Sequence, residues 1–321
     1  MTATGRTAVN KIVLQNDYWE LTVLPDVGAK VYDLVWRASG KNYLWHNPRI
    51  QPQQYSVDAN FDNYWCGGWD DIFPTADSCE FKGEVYPICG ELRSLQWALD
   101  SITSTEVSLS AYGPISPIHA TKTIRLSGAI ASMHYRIENL GPGRLTFLWG
   151  THPALAVAKG DTLRIPAGRG LVSSSSAPSM GTPGQEYRWP QLGYPGGVTD
   201  MSKVQPISAC VNCGHYVIDL TEGWFGVQAV DGKSGIVFQF PLEQCPYLWM
   251  WIVYGGWRGY HHVIIEPWTS YPVHLADAVR AQRNRELEPG GIFDVTVMTT
   301  AYCAPETAEE ALARLKNHAI K

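Results

Sequence analysis

Charged side chains are scarce in this chain of 321 residues. Asp, Glu, Lys and Arg make up 17% of it, and 25 basic groups face 30 acidic ones for a net charge of −5. Nucleic acid is thereby excluded as a main partner, because backbone phosphates are held by clustered Lys and Arg. Long apolar runs are missing as well. No stretch approaches the roughly 20 residues that span a bilayer, and Met1 to Lys11 lack the apolar segment of a secretory leader. No membrane partner is expected. Seven cysteines, an odd number, do not suit a disulfide framework in a chain this long, which points to a reducing cytoplasm. Cys210 and Cys213 form a CxxC pair without a second pair at metal-ligand spacing, so they read as buried or idle thiols and no metal is expected. There is no internal repeat and no glycine-rich phosphate loop ahead of a helix.

Apolar residues, at 45%, are ample for a large core, while 30 Gly and 21 Pro punctuate the chain too often for long helices. Short segments rich in β-branched and aromatic residues predict strands at 11–14, 19–24, 31–36, 216–220, 225–230, 235–240, 247–253, 263–266 and 292–302. The clearest alternation sets Met133, Tyr135 and Ile137 on one face against His134, Arg136 and Glu138 on the other. Across Leu140-Gly141-Pro142-Gly143 follows Leu145, Phe147 and Trp149, read as a hairpin or tight reversal. Thr307 and Glu310 form a capping box for a C-terminal helix from about Glu306, and 275–283 is a second short helix. So few helices cannot cover a broad sheet, so the expectation is an all-β fold of sheet packed on sheet, one domain over 1–321. The Ser- and Gly-rich stretch 171–206 reads as a long loop, either a lid or a surface excursion.

Three clusters carry candidate chemistry. They are Trp65-Cys66-Gly67-Gly68-Trp69-Asp70-Asp71-Ile72-Phe73-Pro74 with Cys89-Gly90-Glu91-Leu92-Arg93 beyond it, then Gly150-Thr151-His152-Pro153-Ala154, then Ile264-Ile265-Glu266-Pro267-Trp268. Glu266 ends an apolar strand, where a carboxylate is unfavourable unless a partner or cleft compensates. It is a candidate proton acceptor, or else a solvated strand end or a structural ion pair. His152, between strand-breaking Gly150 and Pro153, is a candidate partner in proton transfer, or a hydrogen-bonded turn residue. Of His261 and His262, the period of two lets only His262 share the face of Glu266. Trp65, Trp69, Trp257 and Trp268 are expected in Gly- or Pro-flanked loops where flat rings can pack on the C–H faces of a sugar, although most of the 13 tryptophans belong to the core. Arg93 and Arg258 are candidates for an anionic sugar group, or structural arginines.

Together these clusters resemble the aldose 1-epimerase-like proteins of the galactose mutarotase-like superfamily. The likeness lies in Gly67-Gly68-Trp69 to Phe73-Pro74, Cys89-Gly90-Glu91-Leu92, Thr121 to Leu126, Glu138-Asn139, Gly150 to Ala154, and Glu266-Pro267-Trp268. It implies a β-supersandwich and a cleft for a free hexose or related sugar. It also implies cofactor-independent interconversion of anomers, with Glu266 as base on the anomeric hydroxyl and His152 as acid on the ring oxygen. The expected substrate contacts are Trp69, Asp70, Cys89, Glu91, Arg93, Trp257, His262 and Trp268. One departure is Cys89, which stands where the family commonly has a histidine; a thiol is a poor hydrogen-bond partner.

A small-molecule sugar is thus the expected partner, and a second copy of the chain, in a homodimer, is carried as another. A non-catalytic sugar-binding protein on the same fold remains an alternative. So does a lyase or glycoside hydrolase using Asp70, Asp71 or Glu91, since such enzymes pair carboxylates about a glycosidic bond.

Overall fold

The computed structural model describes residues 9–319; the first eight, on which part of the leader reading fell, lie outside the described residues. Two antiparallel sheets dominate, one of thirteen strands and one of eight. Across the middle of the larger sheet run Trp69–Ile72, Gly150–Leu155, His261–Trp268, Tyr247–Tyr254 and Val211–Leu220, in that spatial order. Apart from the consecutive strands Tyr247–Tyr254 and His261–Trp268, neighbours in this series are not consecutive in the sequence.

Alternation decides what each strand presents. In His261–Trp268, Val263 and Ile265 enter the main core between the sheets, while Ile264 and Trp268 join a second cluster on the outer face. In Tyr247–Tyr254, Leu248, Met250 and Ile252 point inward and Tyr247, Trp249 and Trp251 outward. The eight-stranded sheet closes the other side of the core, where Phe238 meets Trp69 with ring centroids 5.3 Å apart. Sheet on sheet is therefore the architecture, as the scarcity of helices requires.

The helix Ala308–Ala319 lies on the far face of the smaller sheet, burying Ala311 and Leu315 against Ile130, Val237 and Tyr302. Its capping box forms: the Thr307 N–H donates to Glu310 Oε2 at 2.8 Å and the Glu310 N–H to Thr307 Oγ1 at 3.3 Å. The other helix, Leu275–Arg280, is shorter than its sequence suggests. No helix among the described residues is long and apolar enough to cross a membrane.

Two expectations are corrected. Residues 140–143 do not fold Leu145–Phe147 back as a hairpin; that strand pairs with Arg285–Leu287 instead. The buried Asn139 side chain causes the detour, donating to the carbonyls of Gly143, Leu287 and Glu288 and so tying the turn to a distant segment. Nor is 171–206 a long loop. Its first residues belong to the strand Ala167–Ser175, and Glu186–Arg188, Gln191–Tyr194 and Gly197–Asp200 then extend the large sheet as short antiparallel strands. Tyr187 lays its ring over Gly170, where a Cβ would stand 2.1 Å from it, so the missing side chain is what admits the cover.

One ion pair lies inside the sandwich. Lys122, from the smaller sheet, donates to Asp71 of the larger at 2.7 Å and to the Ala29 carbonyl at 3.1 Å, with no solvent access. Burial pushes the Asp71 carboxyl up, and Lys122 opposes it. Removing one member strands a charge in an apolar medium, whereas replacing both removes the problem. Lys122→Met should cost about 3–5 kcal/mol in urea denaturation, and Lys122→Met with Asp71→Leu should recover most of that loss.

Candidate active site

On the outer face of the large sheet, register lines up a row of side chains. Asp70 pairs with His152 across Trp69–Ile72 and Gly150–Leu155. Gly150 pairs with Trp268 and Ala154 with Ile264, so His152, midway between, stands opposite Glu266. Glu266 pairs in turn with Trp249, Trp249 with Tyr216, and Tyr216 with Leu171. Strand parity turns residues 70, 152 and 266 to the same face, and the register of the three paired strands brings them together.

His152 Nε2 lies 3.8 Å from Glu266 Oε1, too far for a direct hydrogen bond and close enough for strong mutual influence. The other carboxyl oxygen, Oε2, accepts from Trp268 Nε1 at 3.0 Å. Oε1 and His152 Nδ1 are buried without protein partners. Trp268 reaches this position because Gly150 beneath it has no side chain; a Cβ there would sit 2.4 Å from the indole. The Trp268 side chain is completely buried, which makes it a support for Glu266.

Desolvation dominates the electrostatics. It drives the Glu266 carboxyl well above the ordinary range; Trp268 opposes, and Asp70 and Asp77 add to the rise. It drives the His152 imidazole down to about 4, with Asp70 opposing and Lys30 and Arg93 contributing. Between those limits the pair carries one proton. Asp70 is held by Lys30, whose Nζ stands 2.6 Å from Asp70 Oδ1 and also donates to the Gly67 carbonyl. Asp70 Oδ2 also accepts from Trp65 Nε1 at 3.2 Å, fixing an indole that meets the His152 ring edge-on, with centroids 5.7 Å apart.

A cavity of about 170 Å³ opens beside His152, lined by Phe61, Asp62, Ile72, Ala76, Asp77, Ile88, Cys89, Trp249, Trp251 and Trp257. That is below the roughly 300 Å³ at which pockets for larger ligands begin, a size for one small ring. Glu266 lies deeper, against His152 and off the cavity lining. Asp77 is at the mouth; partial desolvation raises its carboxyl and His274 opposes.

The expected contact residues divide. Cys89 and Trp257 line the cavity, and Asp70 stands beside His152 on the neighbouring strand, off the cavity lining. His262 shares the face of Glu266 but is enclosed by Trp45, Trp65 and Trp251, with both ring nitrogens unpartnered. Trp69 points the other way, into the core between the sheets, because the strand places Asp70 and Ile72 outward. Glu91 accepts from the backbone N–H groups of Ile115 and Ser116 and tethers that turn. Arg93 is buried behind the cavity wall. Its Nε donates to the Ile88 carbonyl, and its guanidinium lies 4.9 Å from the Phe61 ring centre and 5.3 Å from that of Tyr55. Arg258 is engaged by Asp62. Sequence reasoning passed over Trp249 and Trp251, although the alternation of aromatic and aliphatic residues along 247–252 marked them as one face. Phe61, Asp62 and Asp77 gave no local signal.

No family model matches the chain and no curated protein matches it. Among solved structures it is similar to the Slr1438 protein from Synechocystis sp. PCC 6803 (18% identity, TM-score 0.71, covering 94% of this chain and 99% of that one). It is also similar to a galactose mutarotase-like protein from Lactobacillus casei (14%, TM-score 0.65, 91% and 100%). A galactose mutarotase related enzyme from Lactobacillus acidophilus is a further neighbour (13%, TM-score 0.64, 93% and 99%). At these identities the likeness is one of fold: the chain has the galactose mutarotase-like fold.

Because the folded protein holds the Glu266 proton more tightly than the unfolded chain does, stability falls as pH rises above the ordinary carboxylate range toward the folded value. His152 acts at the other end, where stability falls as pH drops from about 6.5 toward 4. Glu266→Gln should therefore raise stability at pH 7–8 by about 0.5–2 kcal/mol and flatten the decline toward alkaline pH, measured by thermal denaturation across pH.

Proposed function

We propose that the protein is a cofactor-independent aldose mutarotase acting on a free monosaccharide. The observation that carries this reading is the pairing of His152 with Glu266 across adjacent strands, 3.8 Å apart, beside a cavity sized for one ring. The galactose mutarotase-like fold supports it.

Ring opening moves two protons. A base takes the proton from the anomeric hydroxyl, the C1=O bond forms as the C1–O5 bond breaks, and an acid protonates O5. Rotation about C1–C2 and reclosure, with the roles exchanged, give the other anomer. O1 and O5 share one carbon, so acid and base must stand close together, as His152 and Glu266 do. The reaction consumes no proton, so a pair holding one proton finishes as it began. Glu266 takes the part of base and His152 that of acid when that proton sits on the imidazole. Reclosure returns it.

Desolvation disfavours the ionised pair, so the proton rests on the carboxyl, and moving it to the imidazole, which makes Glu266 the base and His152 the acid, carries a cost that sugar binding has to offset. The indoles of Trp249, Trp251 and Trp257 supply a platform for the C–H face of the sugar. Because Glu266 lies off the cavity lining, a ligand reaches it only with a side-chain adjustment at the cavity floor. That same feature is what favours the second reading, a sugar-binding protein without turnover.

The two readings separate in saturation-transfer NMR of anomer exchange over a panel of free sugars. Mutarotase action predicts saturable acceleration, with kcat lowered roughly a hundredfold or more in His152→Asn and in Glu266→Gln. Binding without any acceleration leaves the second reading, and neither binding nor acceleration removes both. For an active enzyme the rate should be bell-shaped in pH. The acid limb falls near 4, where His152 gains a second proton for the pair, and the alkaline limb falls where Glu266 loses the last one.

A further inference from the structure

The cavity has two unlike sides. Toward the strand Tyr247–Tyr254 stand the flat indoles of Trp249 and Trp251, with Trp257 beside them. Toward the strand Trp69–Ile72 the wall is Ile72, Ala76, Ile88 and Cys89. Once the indoles take the face of a pyranose, the opposite wall meets its edge, and there a common hexose carries hydroxyl groups. A hydroxyl pressed against that wall finds three aliphatic side chains and a thiol.

The thiol is a weak donor and a weak acceptor. Burial raises its pKa, with Arg93 opposing, so it stays protonated. It is also fixed in place. Cys89 has a left-handed φ of 58°, its N–H donates to the Ala76 carbonyl at 2.6 Å, and the next residue must be glycine because a Cβ at Gly90 would lie 1.9 Å from the Phe73 oxygen. The polar cavity residues Asp62 and Asp77 are half-buried and exposed, so they serve hydroxyls that point outward. Ile88, at 40% exposure, leaves apolar surface at the cavity for a ligand to cover.

We infer that the sugar is a deoxy sugar, one with a methyl group or a hydrogen against the Ile72, Ala76, Ile88 and Cys89 wall where a common hexose has a hydroxyl. The inference rests on the mutarotase reading and sharpens it. A hydroxyl that gives up water for this wall gains no equivalent partner, whereas a methyl or methylene group gains contact.

The test compares kcat/KM for anomer exchange within matched pairs, each corrected for its own spontaneous rate: D-fucose with D-galactose, D-quinovose with D-glucose, L-rhamnose with L-mannose, and 2-deoxy-D-glucose with D-glucose. The expected result is a preference of about tenfold or more for the deoxy member of at least one pair. Cys89→Ser, which puts a competent donor and acceptor in the wall, should shrink that preference, and Cys89→Ala should keep it. Exchange that is catalysed equally well or better for the hydroxylated member of every pair overturns this inference and leaves the mutarotase reading standing. A preference that survives unchanged in a folded Cys89→Ser protein removes Cys89 from the account and with it the wall as its cause. Absence of catalysed exchange for every sugar overturns the mutarotase reading, and this inference falls with it.

Discussion

A carboxyl group and an imidazole, both removed from water and facing one another across adjacent strands, form the constraint around which the outer face of the large sheet is organised. Neither is comfortable alone. Desolvation penalises the charged form of each, so the carboxyl keeps a proton that it would surrender in water and the imidazole stays neutral where it would begin to charge. The two penalties favour the neutral pair, with one proton held on the carboxyl. That is a costly arrangement for stability, of the kind that persists where chemistry requires it.

The surroundings hold the pair in place. Trp268 binds one carboxyl oxygen, and a missing side chain at Gly150 makes room for its ring. Lys30 anchors Asp70, Asp70 orients Trp65, and Trp65 abuts His152. Burial disfavours the Lys30 ammonium, yet Asp70, with Cys66 and Tyr55, keeps its pKa above the usual lysine range, so this anchor remains charged. On the opposite face of the same strand, Asp71 finds Lys122 in the core. Adjacent aspartates thus serve two layers, one supporting the site and the other locking the sheets together.

Much of this was legible in the chain because a strand's parity is local. The period of two separates His262, Ile264, Glu266 and Trp268 from Val263 and Ile265, and the capping box at Thr307 and Glu310 marks the last helix. The same rule, applied to 69–72, turns Asp70 outward and Trp69 inward; reading those residues as a loop hid the alternation. The strand after Asn139 was misplaced because the choice between a hairpin and a crossing depends on carbonyls some 150 positions away. Glu91 looks like a ligand group in a motif, yet the backbone N–H groups of Ile115 and Ser116 claim it, whereas Arg93 gives only its Nε to the Ile88 carbonyl and keeps both terminal nitrogens buried without a partner. Phe61, Asp62, Asp77 and the indoles of 249 and 251 converge on one cavity only through long-range pairing, which no local pattern announces.

The proton held on the carboxyl can be observed directly by NMR, following labelled glutamate carboxyl and histidine ring signals through a pH titration, with Glu266→Gln and His152→Asn to assign them. One carboxyl, absent in Glu266→Gln, should titrate far above the other glutamates, while the His152 ring stays neutral until about pH 4. A Glu266 signal that titrates in the ordinary carboxylate range, alongside a His152 ring that titrates near 6.5, would contradict the account.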